Sequence, residues 1–166
     1  MLRDKSLIPL SHQHQRALAL CVRIDRASPI ADGDTEAWQR EIAQEFQSEI
    51  AVHFAAEEKY LFPVARRFAE LTALVDDLLG EHAGLRRYFA EAAEHKLKPP
   101  ALTEFARMLS THIRKEERQL FESLQQLLNP EQLGELGTNL NEALAEAEHS
   151  CTLPSRSTRS RASKET

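Results

Sequence analysis

HFAAEEKYLF at residues 53–62 and HIRKEERQLF at residues 112–121 are one pattern written twice: histidine, apolar, two variable residues, a glutamate pair, two variable residues, Leu-Phe. An α-helix turns about 100° per residue, so residues four apart share a face one turn apart. The repeat therefore sets His53 beside Glu57 in the stripe of Phe46 and Ile50, and His112 beside Glu116 in the stripe of Phe105, Leu109 and Leu120. Glu58 falls towards the edge of its stripe, and Glu117 lies on the other flank of its own, near Ile113. A solvated face needs no histidine at a fixed distance from a glutamate. A buried cation does.

Working outward from the two repeats, apolar residues step by three or four along four long segments, which predicts four amphipathic helices. The first spans residues 11–27, with Ser11 as its cap. The second runs from 34 to 62 on a stripe of Trp38, Ile42, Phe46, Ile50, Phe54 and Leu61, and Pro63 ends or kinks it. A short connecting helix in VARRFAE leads to a third at 72–95, and a fourth follows at 102–128. Pro130 suits the first turn of a weaker terminal helix. Four amphipathic helices with short links predict an all-α, antiparallel up-down four-helix bundle, a fold whose core often houses metals. Residues 1–148 form that bundle and its terminal helix. The Ser/Arg-rich stretch 149–166, with little apolar content, is expected to be a disordered, solubilising tail.

The bulk numbers narrow the function. A chain of 166 residues, 42% hydrophobic and 28% charged, supports one domain with a real core. A net charge of −5 argues against a nucleic-acid partner, which calls for a basic stripe. No apolar run reaches the roughly 18–20 residues of a membrane span, and the first residues lack a secretory h-region. Cys21 and Cys151 form no metal-knuckle spacing, and the expected compartment is a reducing cytoplasm.

On the first helix His14 aligns with Leu10, Leu18 and Cys21, while His12 points almost the opposite way. On the third, His82 aligns with Val75, Leu78, Leu85 and Phe89. Each long helix thus sends one histidine inward, and two of them add a carboxylate one turn later. A single histidine on an apolar face is more often a hydrogen-bonded core residue. Four of them, with two acids whose unpaired burial costs several kcal/mol each by order of magnitude, point instead to metal. Imidazole plus carboxylate without thiolate suits iron, manganese or zinc. A ferritin-type centre would need Glu-x-x-His pairs, and no core histidine here has a glutamate three residues before it.

LSHQHQRAL, HFAAEEKYLFP, LLGEHAGLRR and HIRKEERQLF, in this order over residues 10–128, resemble the hemerythrin-like family, also called HHE cation-binding domains. The resemblance implies an up-down four-helix bundle around two non-haem irons, held mostly by histidines and bridged by two carboxylates. Carried onto this chain, it assigns His14, His53, Glu57, His82 and His112. The last carboxylate is Glu116 or Glu117, according to which branch of the family is followed. The angular argument and the echo of His53/Glu57 favour Glu116. Oxygen carriers of the family have a second histidine four residues after the one at His82. Here that residue is Arg86, which cannot ligate while charged. Arg86 is expected to run its stem out to solvent or to pair with Glu49, Glu81 or Glu117, and Glu49 or Glu81 could serve as an extra ligand.

The resemblance implies a di-iron protein whose centre meets dioxygen, reactive oxygen species or nitric oxide by sensing, storage or scavenging, with a small diatomic or peroxide ligand. Alternatives are an iron donor in repair of damaged iron–sulfur clusters, or a zinc or manganese bundle without redox function. Whether the chain is an enzyme is left open, and Cys21 reads as a buried core thiol.

Overall fold

The computed structural model describes residues 2–150, which form an all-helical bundle of five rods with no strand among the described residues. Helix α1 is Ile8–Arg26 and α2 is the long rod 35–65. Helix α3 is Thr72–Ala93, α4 is the rod 99–127, and α5 is Pro130–Ser150. None of these helices is long and apolar enough to cross a membrane. Residues 151–166, most of the stretch expected to be a disordered tail, lie outside the described residues, and α5 runs to Ser150.

Two of the rods, α1 and α4, begin earlier than the sequence suggested, because proline is welcome in a first helical turn, where its missing N–H costs nothing. Pro9 lets α1 start at Ile8, so that the fully buried Leu7 and Leu10 bracket its first turn. Ser11 is therefore not a cap. It lies inside the helix and its hydroxyl donates to Glu117 Oε1 at 2.7 Å. Likewise α4 starts at Pro99 rather than residue 102. Helix α3 stops at Ala93, where His95 turns into the left-handed region at φ 56° and the Lys96 N–H closes back on the Glu91 carbonyl at 2.8 Å.

Pro63 does not end α2. The rod widens into a π turn at Glu57–Leu61, in which the Phe62 N–H donates to the Glu57 carbonyl five residues back, and α-helix then resumes over Phe62–Ala65. The same turn recurs in α4 at Glu116–Leu120, where no proline follows, so proline is not its cause. Both turns occupy the repeated EExxL. The extra residue brings Phe62 beneath Glu57 and Phe121 beneath Glu116, and all four are buried along with Leu61 and Leu120. A third π turn, Phe46–Ile50, precedes His53. Such turns often mark functional sites.

The apolar core falls into two blocks. One gathers Leu20, Ile24, Ile42, Phe54, Phe89 and Phe105 with their neighbours. The other gathers Leu10, Leu61, Phe62, Val75, Phe121 and Leu124, and is extended by Leu133, Leu136 and Leu140 of α5. Helix α5 packs on the 51–61 stretch of α2. At Gly137 it meets the segment ahead of α1 so tightly that an added Cβ would stand 2.7 Å from Ser6 Cβ and 2.9 Å from Ser6 Cα, whereas Gly134 has nothing within 4 Å. The two glycines should respond to alanine with opposite signs. Gly137→Ala is expected to destabilise by about 1–3 kcal/mol through overpacking, and Gly134→Ala to stabilise by about 0.5–1 kcal/mol through helix propensity. Urea unfolding of both variants checks the pair. A neutral Gly137→Ala would contradict the tight α5 contact.

Candidate metal centre

Between the two apolar blocks lies a polar layer: His14, His53, Glu57, His82, His112 and Glu116 are all buried, none more than 4% exposed. α1 contributes His14, α2 His53 and Glu57, α3 His82, and α4 His112 and Glu116. The imidazole Nε2 atoms face one another across the bundle. His53 Nε2 is 2.9 Å from His14 Nε2 and 3.1 Å from Glu57 Oε1. His82 Nε2 is 3.4 Å from Glu57 Oε2. Glu116 Oε2 lies 3.2 Å from His14 Nε2 and 3.4 Å from His112 Nε2. Two groups of four donors result, His14, His53, Glu57 and Glu116 in one, Glu57, His82, His112 and Glu116 in the other. In each group the donor atoms lie within 4.8 Å of one another. Both glutamates belong to both groups.

The outward Nδ1 atoms explain why the inward ones are bare. Each Nδ1–H donates at 2.8 Å to an acceptor on the next rod: His14 to Glu117 of α4, His112 to Glu81 of α3, His82 to Glu58 of α2, and His53 to Gln13 of α1. The four links close a ring around the bundle. They select the tautomer with the Nε2 lone pair pointing inward, the arrangement metal-bound histidines use. Inside the ring there are then only acceptors. Both oxygens of Glu57, both of Glu116, and the Nε2 atoms of His82 and His112 have no hydrogen-bond partner. Buried acceptors of this kind need a cation or a proton. With no metal the acids hold a proton at His14: burial works to lower its pKa, but hydrogen bonds to Glu116 and Glu117 outweigh that and raise it to about 10. Glu57 is held well below the usual carboxylate range, burial notwithstanding, by His53 and His82. Two donors at right angles around one cation at about 2.0–2.1 Å stand about 2.9 Å apart, the spacing of His14 and His53.

Two of the residues weighed as alternatives, Glu117 and Glu81, sit behind histidines. Glu117 accepts from His14 and Ser11 and pairs with Arg3, and although its part burial favours the acid, these donors bring its pKa down to about 2. Glu81 backs His112 and pairs with Lys115, and Glu49 pairs with Arg16 at 2.7 Å, so neither falls in a four-donor group. Arg86 does make an ion pair, though with Glu58 at 2.7 Å rather than Glu49, Glu81 or Glu117. Its guanidinium lies 5.3 Å over the Phe54 ring, which stacks on His82. The absence of a second α3 histidine does not single out one position, since each group has four protein donors. Gln13 and Glu58 escaped the sequence reading. Their signal was present: the second glutamate of each EE pair, and the polar residue just before His14 and His82, are the four ring acceptors.

A cavity of about 10 Å³, room for about one water, opens beside the layer, lined by His14, His53 and His112 together with Gln13, Glu49, Ala17, Ile50 and Leu109. Cys21 lies away from it in an apolar block, where burial pushes its thiol up to about 12.

A family model described as the hemerythrin HHE cation binding domain matches residues 9–124, a span that includes all six residues of the layer. Comparison with curated proteins and with solved structures gives no match.

Proposed function

The chain belongs to the hemerythrin HHE cation-binding domain family, and from that premise we propose that it is a non-haem di-iron protein whose centre engages dioxygen, reactive oxygen species or nitric oxide. The observation that carries this reading is the pair of four-donor groups sharing Glu57 and Glu116. Shared carboxylates are what hold two cations side by side. On this reading His14 and His53 would hold one iron, His82 and His112 the other, and Glu57 and Glu116 would serve both, with Glu117, Glu58, Glu81 and Gln13 orienting the imidazoles. Two adjacent irons supply paired electrons to a small oxygen or nitrogen species. Four protein donors would leave an octahedral iron open to a small ligand, whereas they would close a tetrahedral zinc site.

The chain's own contribution is orientation and dryness. The outer acceptors lock each ring, and the apolar blocks above and below exclude water. The role proposed for the centre is sensing, storage or scavenging of such a ligand, in the cytoplasm and in an up-down antiparallel four-helix arrangement. The test is metal analysis of chain purified without chelator, then mixing of the reduced form with dioxygen or nitric oxide. About two irons per chain and a new visible charge-transfer band with either gas are expected. Zinc or manganese alone, or two irons silent to both gases, would overturn the reading.

A further inference from the structure

Each carboxylate of the Nδ1 ring is itself clamped by a cation, and the three clamps are not built alike. Arg86 holds Glu58 from α3 and Lys115 holds Glu81 from α4, so both stand on long rods. The third, Arg3, holds Glu117 from the segment ahead of α1. That segment lies outside residues 9–124, the span matched by the family model.

Arg3 reaches the centre by two routes that end on the same histidine. Its Nη2 donates to Glu117 Oε2 at 2.5 Å and to the Glu117 carbonyl, inside the π turn of α4, at 2.8 Å. Glu117 Oε1 in turn accepts from His14 Nδ1. The Arg3 guanidinium also lies 5.0 Å over the Phe121 ring, which stacks on the His14 ring with centroids 5.6 Å apart. One edge of His14 is thus held by a clamped acid, and one face by a clamped ring.

The segment that carries Arg3 is tied down by polar contacts. Gln125 Oε1 accepts from the Asp4 N–H and from Arg3 Nη1, both at 3.0 Å, and Gln125 Nε2 donates to the Leu2 carbonyl. Leu7 is fully buried, whereas Leu2 is 93% exposed. An open hollow of about 480 Å³ lies beside the segment, against Ile8, Gln125 and Leu133. Exposed polar ties of this kind are among the first in a fold to open, and Leu7 is the pivot about which residues 2–6 lift.

We propose that residues 2–6 are a latch on the metal centre and that Arg3 is its positioning residue, which when docked holds Glu117 and Phe121 against His14. Lifting the latch leaves His14 free to turn and the cation it serves easier to lose. This rests on the cation-binding part of the reading above and not on the ligand the centre engages. Linkage makes the effect reciprocal: whatever factor the docked latch adds to cation affinity, the cation adds to docking of the latch.

The test uses the full chain, ferrous ion and no oxygen. Hydrogen-exchange mass spectrometry of the peptide carrying residues 2–7 should show exchange about 10-fold slower in the loaded chain than in the chelated one. Arg3→Gln should abolish that difference and weaken ferrous binding, read against a competing chelator, by about 10-fold, the low end for loss of an outer partner. Added to Glu117→Leu, Arg3→Gln should cost less than about twofold more, because its route to His14 is already cut. Arg118→Gln removes the same charge from an exposed site next to Glu117, and should leave both readouts within about twofold of wild type. Latch exchange indifferent to ferrous ion, unchanged affinity in Arg3→Gln, an equal loss in Arg118→Gln, or a full further loss in the Glu117→Leu background would overturn the inference and leave the di-iron reading intact. A chain that takes up no ferrous ion fails at loading, before either readout, and removes both.

Discussion

Glu57→Gln is expected to reduce cation loading from two per chain to less than one, whereas His82→Ala retains about one. The reason is that Glu57 belongs to both four-donor groups and His82 to only one. The amide keeps the shape of the carboxylate but loses the charge that opposes two cations, so affinity at both positions should fall by more than about 100-fold, beyond the loss typical of an outer partner. Stability should move the other way in the metal-free chain. Both Glu57 oxygens are buried without a hydrogen bond, 3.1 Å from His53 Nε2 and 3.4 Å from His82 Nε2. A glutamine NH₂ can donate to the bare His82 Nε2, and satisfying buried groups that lack a hydrogen bond stabilises by about 1–3 kcal/mol. Metal content of the purified variants, with urea unfolding of each metal-free chain, checks both halves. Equal loss of metal from Glu57→Gln and His82→Ala would contradict a shared carboxylate.

Stripping the cations from the wild-type chain should lower its melting temperature by about 10 °C or more. A ligand present at a thousand times its dissociation constant stabilises the folded state by about 4 kcal/mol per site. For a chain of this length each kcal/mol moves the midpoint by about 2–4 °C. Loss of the cations adds to the effect, since both glutamates and the Nε2 atoms of His82 and His112 are then buried without a hydrogen-bond partner. Calorimetry of metal-loaded chain before and after chelation gives the number. An unchanged midpoint would mean that the polar layer is satisfied without metal.

The parts of this architecture that periodicity could read are those where one face of a rod is buried. Four rods, the inward turn of all four histidines and the inward turn of Glu116 rather than Glu117 all follow from the angle between residues four apart, and that is where the side chains lie. What escaped the reading has identifiable physical causes. The start of α1 was missed because Ser11 resembles a cap, while Pro9 is compatible with a first turn. The passage of α2 beyond Pro63 was one of the two outcomes the sequence allowed, but the π turn before it was not foreseen, because nothing in EEKYL announces one except its echo in EERQL. Glu58 and Gln13 were missed because their partners lie on neighbouring rods, and a single-helix projection is blind to contacts between helices. Arg86 was assigned an ion pair as one of two outcomes, but with the wrong acids, for the same reason.

The closed circuit of Nδ1 links makes the polar layer a hoop with no loose end. Each of the four long rods both gives and receives a link, so peeling any one of them away severs two at once. Local fraying, which ordinarily starts where a structure is least tied, has nowhere to begin at this height of the molecule. The rod tips and α5 can loosen on their own, while the layer opens as a whole or not at all.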